Sequence, residues 1–349
     1  MTEINNEDSI KLIHLMLKDI FEKEKYNILF ENISINFPNH NGKLTLIVNI
    51  SDYTFMLKVY APGAISCNID RPNGKDSPYI ESSIMNILNE EFFNLTPCIP
   101  KLFYVHKMSK QEVKKNIKSI QECIQLNKSK KDCDIMCKLW DEINNGFAEG
   151  EPTFLFMEDG HLSFNDYCAN ASTHIEVWII KTIIWLVVYT LDIITKKYPK
   201  FVHGDLFARN IILYMDSDFL KKDRLGEEVY INIGGYFIPY MGIIPKIIDY
   251  ELSVLNDEYE SKYQLSKNSI DLVQLMYSIR SIFRYENQIT QMIDKLTGIK
   301  TDLDLNYFQY ADVIQKNGGL PSYQTILSSD LFGYKKDKIV DPENIWGVW

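Results

Sequence analysis

A chain of 349 residues, 46% hydrophobic and 24% charged, is long enough to bury one large domain or two lobes. Its formal charge of −10 argues against a general nucleic-acid binder, because phosphate contacts need concentrated positive charge. The six cysteines, Cys67, Cys98, Cys123, Cys133, Cys137 and Cys168, include no C-x-x-C pair and read as reduced thiols rather than a disulfide framework or a zinc site.

The start, Met1-Thr2-Glu3, lacks the basic and apolar regions of an export signal, so a cytoplasmic location is expected. Residues 7 to 24 then place Ile10, Ile13, Met16, Leu17 and Ile20 at helical spacing, which predicts an amphipathic helix. Leu44 to Ile50 and Tyr53 to Tyr60 are apolar runs split by Ser51-Asp52, the pattern of two antiparallel strands and a tight turn. A helix is predicted over 79 to 93, carrying Glu81, and a strand over Lys101 to His106.

Residues 107 to 150 hold eight lysines between Lys107 and Lys131 and read as an inserted helical excursion on the surface, a solvated face or a dock for an acidic partner. Thr153 to Met157 is a buried-strand pattern, and Glu158-Asp159-Gly160 a turn suited to a lobe boundary. Thr173 and Glu176 form a capping box before the apolar stretch Val177 to Ile194. Lys181 and Asp192 interrupt that stretch, leaving less than the roughly 20 apolar residues of a membrane span. A buried helix is expected there instead. Beyond Asp249 the pattern is mostly helical, ending in an aromatic tail with Trp346 and Trp349. The fold class read from this order is α+β, with domains 1–157 and 158–349.

The segment Val202-His203-Gly204-Asp205-Leu206-Phe207-Ala208-Arg209-Asn210-Ile211-Ile212-Leu213 follows the apolar helix. It sets a carboxylate and an amide five residues apart on a loop anchored by apolar neighbours. Thirty-nine residues after Asn210, Lys246-Ile247-Ile248-Asp249 reads as a strand ending in a carboxylate. Upstream, Phe55-Met56-Leu57-Lys58-Val59-Tyr60 puts a lysine inside an apolar strand, where it needs a partner. Glu81 on the next helix can supply it.

In this order, over roughly residues 40 to 280, these motifs resemble the protein-kinase superfamily, whose catalytic loop has the H-x-D-x-x-x-x-N spacing. The resemblance implies a bilobal fold, with a small antiparallel-sheet N-lobe plus one key helix and a larger helical C-lobe. By the same resemblance Asp205 is the catalytic base, and Asn210 and Asp249 hold Mg2+. Lys58 binds the α and β phosphates of ATP and is oriented by Glu81, while Met157 and the Glu158-Asp159 backbone line the nucleotide pocket. His203 and Asp271 support the catalytic loop. Arg209 either contacts a phosphate or the acceptor, or braces the loop through a salt bridge. The run Tyr230 to Gly242 before Asp249 is similar to an insertion in protein kinases of large DNA viruses, so host cytoplasm or virion is the expected location.

The departures bear on the substrate. Only one glycine, Gly42, lies in the turn 37–43 before Lys58, where the family has a glycine-rich loop. Gly204 replaces the usual arginine, Tyr250-Glu251 the usual Phe-Gly, and only 21 residues separate Asp249 from Asp271. The expected activity is ATP- and magnesium-dependent transfer to Ser/Thr, or Tyr, hydroxyls of a protein substrate. A kinase of small molecules and a non-catalytic scaffold are the alternatives.

Overall fold

The computed structural model describes residues 7–25, 28, 33–37, 43–61, 77–127, 130–145, 151–160, 162–170, 177–216, 219, 229–255, 267–284, 286–300, 305–336 and 340–349. The chain is α+β and divides into two units, one of residues 1–86 and 101–159 and one of 87–100 and 160–349.

The first unit is built on a five-stranded antiparallel sheet of order β1-β2-β3-β5-β4. Its strands are β1 (Ile33–Phe37), β2 (Lys43–Ile50), β3 (Tyr53–Tyr60), β4 (Leu102–Lys107) and β5 (Thr153–Glu158). Ser51 takes φ 55 in the turn joining β2 to β3. Helix α1 (Glu7–Glu22) buries Ile13, Leu17, Ile20 and Phe21 in the same core as Leu46, Val48, Leu57 and Phe156. Phe21 stacks on His106 of β4 at a centroid distance of 4.1 Å, and His14 meets the Phe103 carbonyl at 3.1 Å. The helix is therefore seated by its sequence-predicted apolar stripe. The turn 38–42 and the capping box at Thr173 lie outside the described residues.

The lysine-rich insert is helical as expected, but its apolar residues belong to the core rather than to the surface. It forms α3 (Lys110–Asn127) and α4 (Lys130–Asn145), α2 being Ser77–Phe92. Val113, Met136, Leu139, Trp140 and Ile143 of the insert enter the first unit's core. Lys114, Lys115 and Lys118 face solvent. The charge count hid an amphipathic pattern: few apolar residues suffice when they fall at helical spacing.

Residues 87–100 group with the second unit, unlike a simple cut at 157. Their reason is specific bonding: Thr96 Oγ1 lies 2.6 Å from Thr190 Oγ1, and the Cys98 carbonyl accepts from Ile247 N–H at 2.8 Å. Tyr198 donates to Glu91 at 2.7 Å. Helix α2 thus contributes to the first unit through Asn86 and to the second from Ile87.

In the second unit, a short strand and helix, β6 (Leu162–Ser163) and α5 (Phe164–Asn170), precede α6 (Val177–Lys197). Despite Lys181 and Asp192, helix α6 is long and apolar enough by length and composition to cross a membrane, contrary to the sequence expectation, yet most of it is buried within the protein, as for the central helix of a folded unit. Strand β7 (Ile211–Met215) pairs with β6 and with β10 (Ile243–Ile247). Between them in sequence stand β8 (Tyr230–Ile233) and β9 (Tyr236–Pro239), a hairpin turned by Gly234-Gly235. Helices α7 (Lys267–Ile282), α8 (Asn287–Thr297), α9 (Tyr307–Lys316) and α10 (Tyr323–Leu327) follow.

The aromatic tail, to which the sequence pattern assigns no element, holds a strand. Ile345–Val348 is a strand, β11, parallel to β8. Buried Asp216 accepts from Trp346 Nε1 at 2.7 Å and from the Tyr240 hydroxyl at 2.9 Å. The carboxylate sits after β7, so the tail is tied to the end of that strand. Of the cysteines, Cys98 and Cys168 are buried thiols, and burial pushes the Cys98 thiol up to about 11, an inert thiol by that measure. Cys67 lies outside the described residues.

Trp140 is 1% exposed, so Trp140→Ala is expected to destabilise the first unit by about 3–5 kcal/mol. Urea unfolding followed by circular dichroism measures it. A loss within about 0.5 kcal/mol, the surface range, would show that the insert is not core.

Candidate active site

The residues singled out by sequence fall into two sets. In the first unit, strand alternation puts Lys58 and Tyr60 on one face of β3, and Glu81 lies just past the first turn of α2. The Lys58 Nζ donates to Glu81 Oε1 at 2.6 Å, with Lys58 2% and Glu81 0% exposed. A buried charge without its partner is costly, so each member needs the other. The Tyr60 hydroxyl donates to the second carboxylate oxygen, Oε2. Tyr60 is not among the residues the sequence motifs mark; its place two residues after Lys58, on the same strand face, is the signal for it.

Met157 is fully buried in β5, opposite Met56 and Leu102. Glu158 ends that strand, donating its N–H to the Lys101 carbonyl at 2.8 Å while its Oε2 accepts from Lys101 N–H at 3.1 Å. These bonds hold the β5 end to the residue before β4.

The second set is built on the loop 203–210. Buried Asp271 accepts from His203 N–H at 2.8 Å and Gly204 N–H at 2.9 Å, one on each oxygen. Burial pushes its carboxyl up to about 6, and the two N–H bonds work against that rise. One turn further along α7, Gln274 accepts from Leu206 N–H at 2.8 Å and donates to the Gly204 carbonyl at 2.9 Å. The Ser278 hydroxyl accepts from Ala208 N–H at 3.0 Å. Positions 271, 274 and 278 share one helical face, which clamps the loop backbone. Sequence reasoning found Asp271 and missed Gln274 and Ser278; polar residues at that spacing among Ile270, Leu272, Val273 and Leu275 were the signal.

Gly204 has φ 84, a left-handed conformation that side-chain-bearing residues resist, which accounts for glycine before Asp205. His203 Nδ1 accepts from Asp205 N–H at 3.3 Å, so Nε2 carries the proton toward the Ile248 carbonyl at 3.0 Å. His203 is a loop brace, tying the segment before Asp205 to the segment before Asp249. Val202 and Val254 reinforce this with paired backbone bonds of 2.9 and 2.8 Å.

Asn210 Nδ2 donates to the Asp205 carbonyl at 2.7 Å and to Asp205 Oδ2 at 2.8 Å. Arg209 Nη2 bridges both Asp205 oxygens at 2.7 and 2.9 Å, with its guanidinium 4.6 Å from the Phe207 ring centroid. Among the described residues Arg209 therefore braces Asp205. The Asp205 carboxyl stands above its ordinary value because of burial, with Asp249 adding and Arg209 opposing.

Asp249 is brought to Asn210 by strand register. Asn210 immediately precedes β7, Asp249 lies two residues past β10, and Ile211 faces Ile247. Ile248 N–H donates to the Asn210 carbonyl at 3.0 Å. Asp249 itself is left-handed, φ 72, a conformation of the kind that collects at functional sites. Because two acceptors on Asp205 claim the Asn210 amide nitrogen, its amide oxygen is left for another partner. An amide oxygen and a carboxylate on adjoining strand ends make a hard-oxygen donor pair of the type that holds Mg2+.

No protein-family model matches the chain. Over 157 residues, 37% of the chain, it is 27% identical to a protein of Acanthamoeba polyphaga mimivirus called "Putative serine/threonine-protein kinase R301". The match spans 39% of that protein's length. The solved structure "WaaP in complex with acyl carrier protein" is similar over 78% of this chain and 90% of that one, at 10% identity and a TM-score of 0.38. The viral match supports a kinase-like relationship and no narrower family.

Gln274→Ala leaves a buried N–H and a buried carbonyl of the loop without this partner, at about 1–3 kcal/mol for each group. Amide exchange at Leu206 is expected to accelerate by about tenfold or more, as read by NMR or mass spectrometry. Unchanged exchange would show that the loop holds its shape without the α7 clamp.

Proposed function

We propose that this chain is a phosphotransferase of the protein-kinase type, moving the γ-phosphoryl group of ATP to a Ser or Thr hydroxyl of a protein. One observation carries the reading: Asp205 and Asn210 share a hydrogen bond on a clamped loop, and strand register sets Asp249 beside them. A base and two metal-type donors on one rigid backbone suit phosphoryl transfer, where catalysis is mostly positioning and electrostatics.

Asp205 orients the acceptor hydroxyl and takes its proton as the hydroxyl oxygen bonds to the γ-phosphorus. The bond from that phosphorus to the β–γ bridging oxygen breaks, and ADP carries the electron pair away. Burial of Asp205, which raises its affinity for a proton, favours this role. Asn210 and Asp249 are the residues that would hold Mg2+, which supplies neutralisation of phosphate charge. Lys58, fixed by Glu81, binds the α and β phosphates, and Met157 and Glu158 contribute to the nucleotide pocket. His203 and Asp271 hold the loop in shape, and Arg209 keeps the Asp205 carboxylate oriented.

A small-molecule acceptor is the second reading. It is favoured by the 21 residues between Asp249 and Asp271, a short stretch in which to build a platform for a peptide.

With γ-labelled ATP and magnesium, Asp205→Ala is expected to lower transfer by about 10²–10⁴-fold while nucleotide affinity, followed by calorimetry, stays within a few-fold. Asp249→Ala should also abolish transfer. Parallel loss of binding and transfer in Asp205→Ala would contradict a base. Label that appears on added sugars or nucleosides and never on protein would select the second reading.

A further inference from the structure

The Lys58–Glu81 pair leaves a question of geometry that the pair alone does not answer. Glutamate has three rotatable side-chain bonds, so a contact on one oxygen alone leaves its carboxylate able to turn about the last of them. Glu81 is also fully buried, and a buried carboxylate held through only one oxygen is incompletely satisfied. The structure supplies the second contact from the same strand that carries the lysine: Lys58 takes Oε1, and the Tyr60 hydroxyl takes Oε2.

We propose that Tyr60 is a positioning residue, which locks the Glu81 carboxylate between two donors on β3 and so preassembles Lys58 for phosphate binding before any nucleotide arrives. Several features make Tyr60 suited to this. It is 1% exposed, and its backbone is set by pairing with Lys43 on one side and Thr153 on the other. Its ring has two side-chain torsions and a fixed reach, so its hydroxyl is a stiffer reference point than an ammonium. Val59 between the two donors points into the apolar core, which fixes the strand's orientation and therefore which face carries both. With both carboxylate oxygens held, the early turns of α2 are tied to β3 at two points. Lys58 then meets the phosphates without first having to be ordered, the saving expected of a preorganised site.

This inference rests on Lys58 being the phosphate-binding lysine, so its test has one arm that needs no nucleotide. In protein labelled with 15N-lysine, the Lys58 ammonium signal is assigned by its loss in Lys58→Arg, and proton exchange at Nζ is measured in wild type and Tyr60→Phe. Tyr60→Phe keeps the ring and removes only the hydroxyl; circular dichroism verifies that it folds, and Tyr60→Leu serves as a second variant. The expected result is Nζ exchange at least tenfold faster in Tyr60→Phe, with ATP KM raised or kcat lowered by about tenfold in the active enzyme. Unchanged Nζ exchange overturns the proposal whatever the activity. Faster exchange with unchanged kcat and KM in an active enzyme overturns it as well. If wild type transfers no phosphate, that result counts against phosphotransfer alone, and the exchange arm still decides the role of Tyr60.

Discussion

The catalytic-loop candidate depends on one constraint: its backbone polar groups are buried and must be bonded, and a single helical face bonds most of its N–H groups. Asp271, Gln274 and Ser278 engage the N–H groups of His203, Gly204, Leu206 and Ala208 and the carbonyl of Gly204. A loop that lies against an apolar core has no water to satisfy these groups. The helix therefore provides side-chain acceptors at one-turn intervals, and the loop's shape follows the rise of the helix. Gly204 at positive φ and the Asn210–Asp205 bond are consequences of that path.

The first unit answers a different constraint. A lysine and a glutamate are both buried there, and desolvating two charges is tolerable only with close geometry and further hydrogen bonds. The sheet supplies that geometry from β3, and α1, α3 and α4 cover the sheet with apolar residues. The covering helices differ in composition, α1 acidic at its start, α3 lysine-rich and α4 of mixed charge, yet they do the same physical work. Each buries a stripe and leaves charge in solvent.

The second unit closes on its own chain end. Strand β11 adds to β8, and Asp216 gathers a tyrosine hydroxyl and an indole N–H. The same carboxylate accepts from Phe219 N–H at 2.9 Å. A buried carboxylate with three donors fixes the C-terminal segment to the end of β7, the strand that Asn210 precedes.

The sequence by itself determined the order of the main elements and marked the candidate chemistry-bearing residues. Periodicity located α1, β2, β3, β5 and α6, and the spacing of His203, Asp205 and Asn210, with Asp249 and Asp271 after them, marked the loop and its support. Local patterns suffice for these because side-chain alternation and helical stripes are written in neighbouring residues. Tertiary structure decided what depends on distant partners. Trp140 is core because α4 packs on a sheet whose nearest strands end 33 residues before Trp140 and begin 13 after it. Trp346 is in a strand because β8 lies beside it. Tyr60 bonds Glu81, and Gln274 bonds Leu206, because register and helical phase bring together groups whose sequence separation carries no signal of contact.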